Sequence, residues 1–320
     1  MVKAFKFRLY PNREQRDKMN ATLDACRELY NAGLAERIGA WKNRTPVDCF
    51  AQINQLPEIK EVRTELRAVY SHAMQDVFRR LEKAYKAFFL RVKKGQNPGF
   101  PRFKSRNRFD SFTYPDGFKL VGSRLQLSKI GNIKVKLHRE VEGKIKTATI
   151  KRECGAWFVT LAVEFEPKPL PHLDNAVGID AGLESFAVLS DGTTIPNPHF
   201  YSKTQAALCR AQRRAARRKK GSHGRRKGVE LLQKIHLRIF NQRADFQHKV
   251  SHQIVRDFGK IAIEDAGEML AKSVHAVGWA GFSSKLSYKA AHAGRTLRLT
   301  QSNRAGTQPL DANVGAFSPA

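Results

Sequence analysis

Residues 177–192 read VGIDAGLESFAVLSDG, and residues 261–265 read IAIED. In each, an acid interrupts an apolar, strand-like run: Asp180 in the first and Glu264 in the second. A carboxylate at the end of a buried strand loses hydration and needs something positive to meet it. A divalent cation does so, and hard cations take oxygen ligands. Around these stretches, Val177–Asp180 and Ser185–Leu189 read as a hairpin turning at Ala181–Gly182. Asp191-Gly192 marks a second turn, and Thr193–Pro196 reads as a short third strand. Ile261–Ile263 is a buried strand that runs into Glu264-Asp265, followed by a helix over Trp279–Ala293 and a strand over Thr296–Leu299. This order suggests a ribonuclease H-like sheet whose first and fourth strands are neighbours. Asp180 and Glu264 then face one another at one strand edge. Such pairs suit two Mg²⁺ ions about 3.5–4 Å apart. Asp265 points the other way if the strand persists.

The bulk charge agrees with a polyanion partner. The chain has 320 residues, with 58 Lys and Arg against 29 Asp and Glu, a net charge of +29. So large an excess points to nucleic acid. A hydrophobic content of 41% is enough for two or more folded domains. No apolar run has the length of a membrane span, and no signal-peptide core is present, so neither a membrane nor a secreted setting is expected. Cys26, Cys49, Cys154 and Cys209 form no C-x-x-C pair. They read as free thiols of a reducing cytoplasm, not as zinc ligands or disulfides. Nothing points to a small-molecule substrate.

Residues 1–10 alternate Phe5, Phe7 and Leu9 with cations, which is a strand. Asn12 and Gln15 form a helix-starting capping box. Met19, Leu23, Cys26, Tyr30, Leu34, Ile38 and Trp41 then define one helix face, with a break expected near Gly33. Residues 43–57, with Pro46 and Pro57, read as a loop, and a second helix runs through Met74–Val92 to Gly95. Residues 11–96 are therefore a helical lobe. From 97 to 170 the chain is a small β-barrel or sandwich that the first strand joins. It opens with a segment in which aromatics interleave with Arg102, Lys104, Arg106 and Arg108. Aromatics and cations together suit bases and phosphates, although most of these rings are expected in the barrel core. Residues 171–300 hold the acid-bearing sheet and, over 203–258, a helical hairpin broken at Gly221–Gly224. Arg210, Arg213, Arg214, Arg217, Arg218, Lys219, Lys220, Arg225, Arg226 and Lys227 line it as a phosphate-contacting surface. The tail 301–320 has little periodicity and few charges, and reads as disordered or as foreign to the fold.

Several motifs in this order resemble the TnpB (OrfB) proteins of bacterial insertion sequences, which are classed as transposases. They are FKFRLYPNREQ at 5–15, LYNAGL at 29–34, NPGFPRFKSRNRFDSFTYP at 97–115, the two acid-bearing stretches, and FSSKLSYKAAHAGRTL at 282–297. The resemblance implies an α+β multidomain protein. A helix-turn-helix-like recognition lobe would be set into a wedge-like, oligonucleotide-binding-type barrel, followed by a RuvC-like nuclease domain. It also implies a guide RNA from the element's end, cleavage of double-stranded DNA with Mg²⁺, and a part in transposition and DNA recombination. Asp180 matches the family's first catalytic Asp and Glu264 its catalytic Glu. After the strand matching Thr296–Leu299 the family has a four-cysteine zinc ribbon and a third catalytic Asp. Here no Cys follows Cys209, so no zinc is expected. The nuclease domain is read as incomplete at its C-terminus, by truncation or a frameshift near Thr300. Asp311, in a segment similar to the family's D-x-N-A, is read as a chance match. The chain is thus expected to be an impaired RNA-guided endonuclease. The alternatives are a non-cleaving RNA-guided DNA binder or an inactive remnant of a decayed element.

Overall fold

In β1 (Val2–Tyr10), Phe5, Phe7 and Leu9 are buried, while Lys6, Arg8 and Tyr10 face outward. That alternation makes β1 a strand with one face in a core. The computed structural model describes residues 1–301 apart from Asn107, Leu183 and 266–277, with backbone alone at Glu264, Asp265 and Gln301. The chain divides into two compact units, Met1–Glu166 and Pro167 onward.

In the first unit β1 lies at the middle of a seven-stranded sheet of order β2-β6-β7-β1-β5-β4-β3. The partners are β2 (Ser111–Tyr114), β3 (Phe118–Val121), β4 (Arg124–Leu127), β5 (Gly131–Lys136), β6 (Lys144–Glu153) and β7 (Ala156–Glu164). All pairs are antiparallel. The described residues show no closed barrel. No ladder joins β2 to β3 among the described residues, so the sheet has two ends. Tyr70 explains the gap. Its ring stacks on Tyr114 at 5.1 Å, its hydroxyl donates to Asp116 at 2.6 Å, and its tip lies hard against Gly117. The two strands flank the short turn that Tyr70 and His72 hold.

Between β1 and β2 lie α1 (Arg13–Lys42), α2 (Cys49–Asn54), α3 (Leu56–Val62), a 3₁₀ turn (Thr64–Ala68) and α4 (Ser71–Lys93). Both hydrogen bonds of the Asn12–Gln15 capping box form. The break expected near Gly33 is absent. Gly33 is buried inside α1, where a Cβ would come within 2.8 Å of the Phe78 ring. It is a point of close helix approach. Trp41, assigned to the buried face, is 79% exposed at the end of α1. The expected loop 43–57 contains α2 and the start of α3. Pro57 sits in the first turn of α3, where its missing N–H is tolerated. Arg80 ties α4 to β2 by donating to the Ser111 carbonyl at 2.9 Å while paired with Asp76 at 2.7 Å.

Cys26 is buried in this core, and burial pushes its thiol up to about 12. At pH 8 it stays protonated and unreactive. Iodoacetamide should label Cys154 and Cys209, which are half-buried, in the native protein, and Cys26 only after unfolding. Native-state labelling of Cys26, read by peptide mass, would show that α1 opens readily.

The second unit is a five-stranded sheet of order β10-β9-β8-β11-β12. Its strands are β8 (Ala176–Ala181), β9 (Ser185–Leu189), β10 (Thr194–Pro196), β11 (Lys260–Asp265) and β12 (Thr296–Gln301). β8, β9 and β10 pair antiparallel in sequence, while β11 runs parallel to both β8 and β12. Helices α5 (Phe200–Ala216) and α6 (His223–Asp257) connect β10 to β11, and α7 (Trp279–Ala293) connects β11 to β12. The hairpin thus begins at Phe200 and its turn is 217–222. Gly224, expected in the break, is already in α6. Phe186 is the centre of the core, stacked on Trp279 at 4.4 Å and edge-on to Phe246 and Phe282 at 4.9 and 5.1 Å. Arg295 is buried yet satisfied, donating to the Val255 carbonyl at 3.1 Å and the Pro171 carbonyl at 2.6 Å. No described helix is long and apolar enough to cross a membrane. Residues 302–320, including Asp311 and most of the tail, lie outside the described residues.

Candidate functional site

β8 and β11 are hydrogen-bonded neighbours in parallel register, with Ile261 beside Val177 and Ile263 beside Ile179. The next position on β8 is Asp180, and the next on β11 is Glu264. Asp180 is flanked on its other side by Val188 of β9, and Glu264 by Thr300 of β12. The two positions lie one step beyond the last paired residues of adjacent strands. Apolar side chains set this register: Val177, Ile179, Ile261 and Ile263 are all buried together. A one-residue slip would turn them out of the core.

Asp180 is exposed, not buried, so loss of hydration does not force a cation onto it. Its carboxylate nevertheless has no hydrogen bond or ion pair among the described residues. In a chain of net charge +29, that leaves an available hard oxygen donor. The described residues contain no group of three or more His, Cys, Asp or Glu able to hold a metal.

The second candidate is the hairpin α5–α6. Leu208, Ala211 and Ala215 are buried at spacings of three and four, and Gly228 of α6 approaches so closely that a Cβ would lie 3.2 Å from the Ala215 Cα. This small-residue seam turns the other faces outward. Arg210, Arg213, Arg214, Arg217, Arg218, Lys219, Lys220, Arg226 and Lys227 are exposed. Between Asp191 and Glu230 the chain carries eleven Lys and Arg and no acid. Arg225 differs. Its Nη1 donates to the Ala215 and Arg218 carbonyls at 3.0 and 3.1 Å, capping the end of α5. Sequence reading missed that role, because capping depends on where the turn falls.

The third candidate is split. Arg102 and Arg108 are exposed. Arg106 is paired with Asp24 at 2.9 Å. Lys104 is held through its backbone by two hydrogen bonds with Asn31, at 2.7 and 2.9 Å. Among the aromatics, Phe109, Phe112 and Tyr114 are core, as expected, but Phe100 and Phe103 are exposed.

Comparison with known proteins settles the family. A family model described as "Probable transposase" (OrfB_IS605) matches residues 160–267, which include both acids. A "Helix-turn-helix domain" model of the same family (HTH_OrfB_IS605) matches residues 1–45. A Streptomyces pristinaespiralis protein named "Putative RNA-guided DNA endonuclease" is 33% identical over 312 residues, covering 92% of this chain and 76% of that protein. The chain belongs to the TnpB (OrfB) family. An Escherichia coli K12 member named "Putative RNA-guided DNA endonuclease InsQ" is 35% identical over 272 residues. That match covers 82% of this chain and 66% of the InsQ protein, just under two thirds of its length. In this family member the segment matched as helix-turn-helix is β1 and the uninterrupted α1. The turn and the next helix, α2, begin at about its end.

Proposed function

We propose that this chain is a transposon-associated, RNA-guided nucleic-acid-binding protein built on a RuvC-like, metal-dependent DNA nuclease, with weak cleavage of its own. The observation that carries the proposal is the parallel ladder of β8 and β11, in which Ile179 and Ile263, the residues before Asp180 and Glu264, are paired. The strand order, with the first strand between the second and fourth, supports the RuvC-like reading. Division at Glu166 supports separating a helical and β lobe from a nuclease domain. A guide RNA and a DNA target are the proposed partners, by analogy with the relatives' names, and the family resemblance adds that the DNA is double-stranded.

The donor set fits Mg²⁺. Asp180 and Glu264 offer hard carboxylate oxygens, and Asp180 has no competing partner among the described residues. The chemistry such ions supply when bound is Lewis-acid stabilisation of charge on the reacting phosphodiester oxygens. The chain's own share is to keep the two acid-bearing strands side by side through the β8–β11 ladder, and to hold the nucleic-acid backbone on its cationic hairpin. Two carboxylates supply few of the ligands a two-ion site needs, hence the weak cleavage.

The test is plasmid cleavage by protein loaded with the cognate guide RNA in Mg²⁺. Slow cutting is expected, reduced at least roughly a hundredfold by Asp180→Ala, with RNA affinity unchanged. Cutting that Asp180→Ala leaves intact would remove the site assignment. A purified chain with no affinity for RNA would remove the RNA-guided reading.

A further inference from the structure

From Lys83 to Phe109 the chain carries nine Lys and Arg, six aromatic residues and no acid. The fold brings the two ends of this stretch together. Tyr85, Phe88 and Phe89 lie at helical spacing on the last turns of α4. The loop beyond α4 returns so that Phe100 meets Tyr85 and Phe88 edge-on, with centroids 5.7 and 5.3 Å apart. Phe88 in turn meets Phe89 edge-on at 5.1 Å. The four rings hold one another in place, yet Phe89 and Phe100 remain 55% and 46% exposed. Phe103, three residues on, is 56% exposed.

A group of half-exposed rings of this size marks a surface that takes a partner. Charge selects which. Glu82 pairs with Lys86 at 3.6 Å, and beyond it α4 ends in Arg91 and Lys93 with no further acid before Asp110. An apolar protein surface would have to approach these cations without compensation. A nucleotide satisfies both features at once, because its base has a π-face and its phosphate a negative charge. Space is available. At Gly95 and Gly99, both with positive φ, no atom lies within 4 Å of where a side chain would begin. In a duplex the base faces are already stacked, so only an unpaired strand can use the rings.

We infer that Phe89, Phe100 and Phe103 form a stacking platform for unpaired bases of single-stranded RNA, with the cations at the end of α4 and Arg102 taking its phosphates. This rests on the RNA-binding reading above and adds the surface on which unpaired, as opposed to duplex, RNA sits.

Fluorescence anisotropy with a labelled oligo-uridine strand and an RNA duplex of equal length tests it on the full chain. The double variant Phe89→Leu, Phe103→Leu keeps apolar volume at both sites. It should bind the oligo-uridine strand roughly tenfold or more weakly, with the salt dependence of affinity and the duplex affinity unchanged. Phe89→Trp should bind the strand at least as well as the unaltered protein. The pair Lys93→Gln, Lys94→Gln should instead flatten the salt dependence for both probes. Strand affinity left unaltered in the leucine variant, while the unaltered chain binds both probes, overturns the platform and spares the RNA reading. Equal losses on strand and duplex overturn it as well, and far-ultraviolet circular dichroism shows whether folding is the cause. An unaltered chain that binds neither probe overturns both readings.

Discussion

The triple variant Arg213→Glu, Arg217→Glu, Arg218→Glu is expected to lose RNA affinity at least about a hundredfold at physiological salt. All three side chains are exposed, and α5 carries no acid to compensate them. Each cation that neutralises a phosphate releases counterions, so log affinity falls with log salt by about 0.7 per contact for a single strand. Removing three contacts should lower that slope by about two, and the introduced carboxylates add repulsion. The fold should survive, because the α5–α6 seam is made by Leu208, Ala211, Ala215 and Gly228. Arg225 is the internal control. Arg225→Gln should cost stability at the turn more than it costs RNA affinity, because its guanidinium already caps α5. Filter binding across a salt series separates the two. A triple variant with the original slope would show that this arm does not touch RNA.

Gly259→Ala is expected to destabilise the second unit by about 3 kcal/mol or more, at or above the usual overpacking range. Gly259 sits where the chain enters β11. Its N–H donates to the Asn175 carbonyl and side-chain oxygen at 3.1 and 3.0 Å, and its own carbonyl accepts from Thr296 at 3.1 Å. An added Cβ would lie well inside van der Waals contact with the Leu173 carbonyl. Both partners are backbone, so no side chain can swing away. The segment that leads into β8 or the start of β11 must shift, and with it the register that sets Asp180 beside Glu264. Cleavage should therefore fall together with stability. Gly39→Ala, in α1 with nothing within 4 Å of the new Cβ, should stabilise by up to about 1 kcal/mol. Urea unfolding followed through Trp279, with Trp41 and Trp157 changed to Phe, reads the second unit. An unchanged midpoint for Gly259→Ala would mean that the close approach at Leu173 is not maintained in solution.

Periodicity and punctuation made much of this fold legible in the sequence. The helix Trp279–Ala293 is flanked by Gly278 and Gly294, both at positive φ, so its limits are written in residues that few others replace. β4, β9 and the capping box of α1 follow from patterns equally local. Features that depend on distant partners were not legible. Pro57 reads as a breaker until the start of α3 is known, and the same residue then favours the helix. β2 and β3 are hidden in an aromatic stretch whose alternation is short. The gap between them is set by Tyr70, more than forty residues upstream of Ser111 by sequence number. The pairing of the strands that carry Asp180 and Glu264 was legible because apolar runs precede both acids. The exposure of Asp180 was not, because it depends on what covers a strand end.

The position of β1 has a consequence for synthesis on the ribosome. β1 pairs along nearly its whole length with β7, Val2 opposite Glu164, so the first strand made waits for the last strand of its sheet. Elongation at about 5–20 residues per second separates the two by roughly 8–30 s. The helices α1 to α4 emerge in between and consist of local contacts that form in microseconds. Until β5 emerges, Phe5, Phe7 and Leu9 belong to a strand with both edges open, and the edge that faces β7 stays open to the end of the interval, a state prone to pair with another chain. The nascent protein therefore needs its amino-terminal strand shielded, by its own helices or by a chaperone, long before the residues that complete the sheet exist.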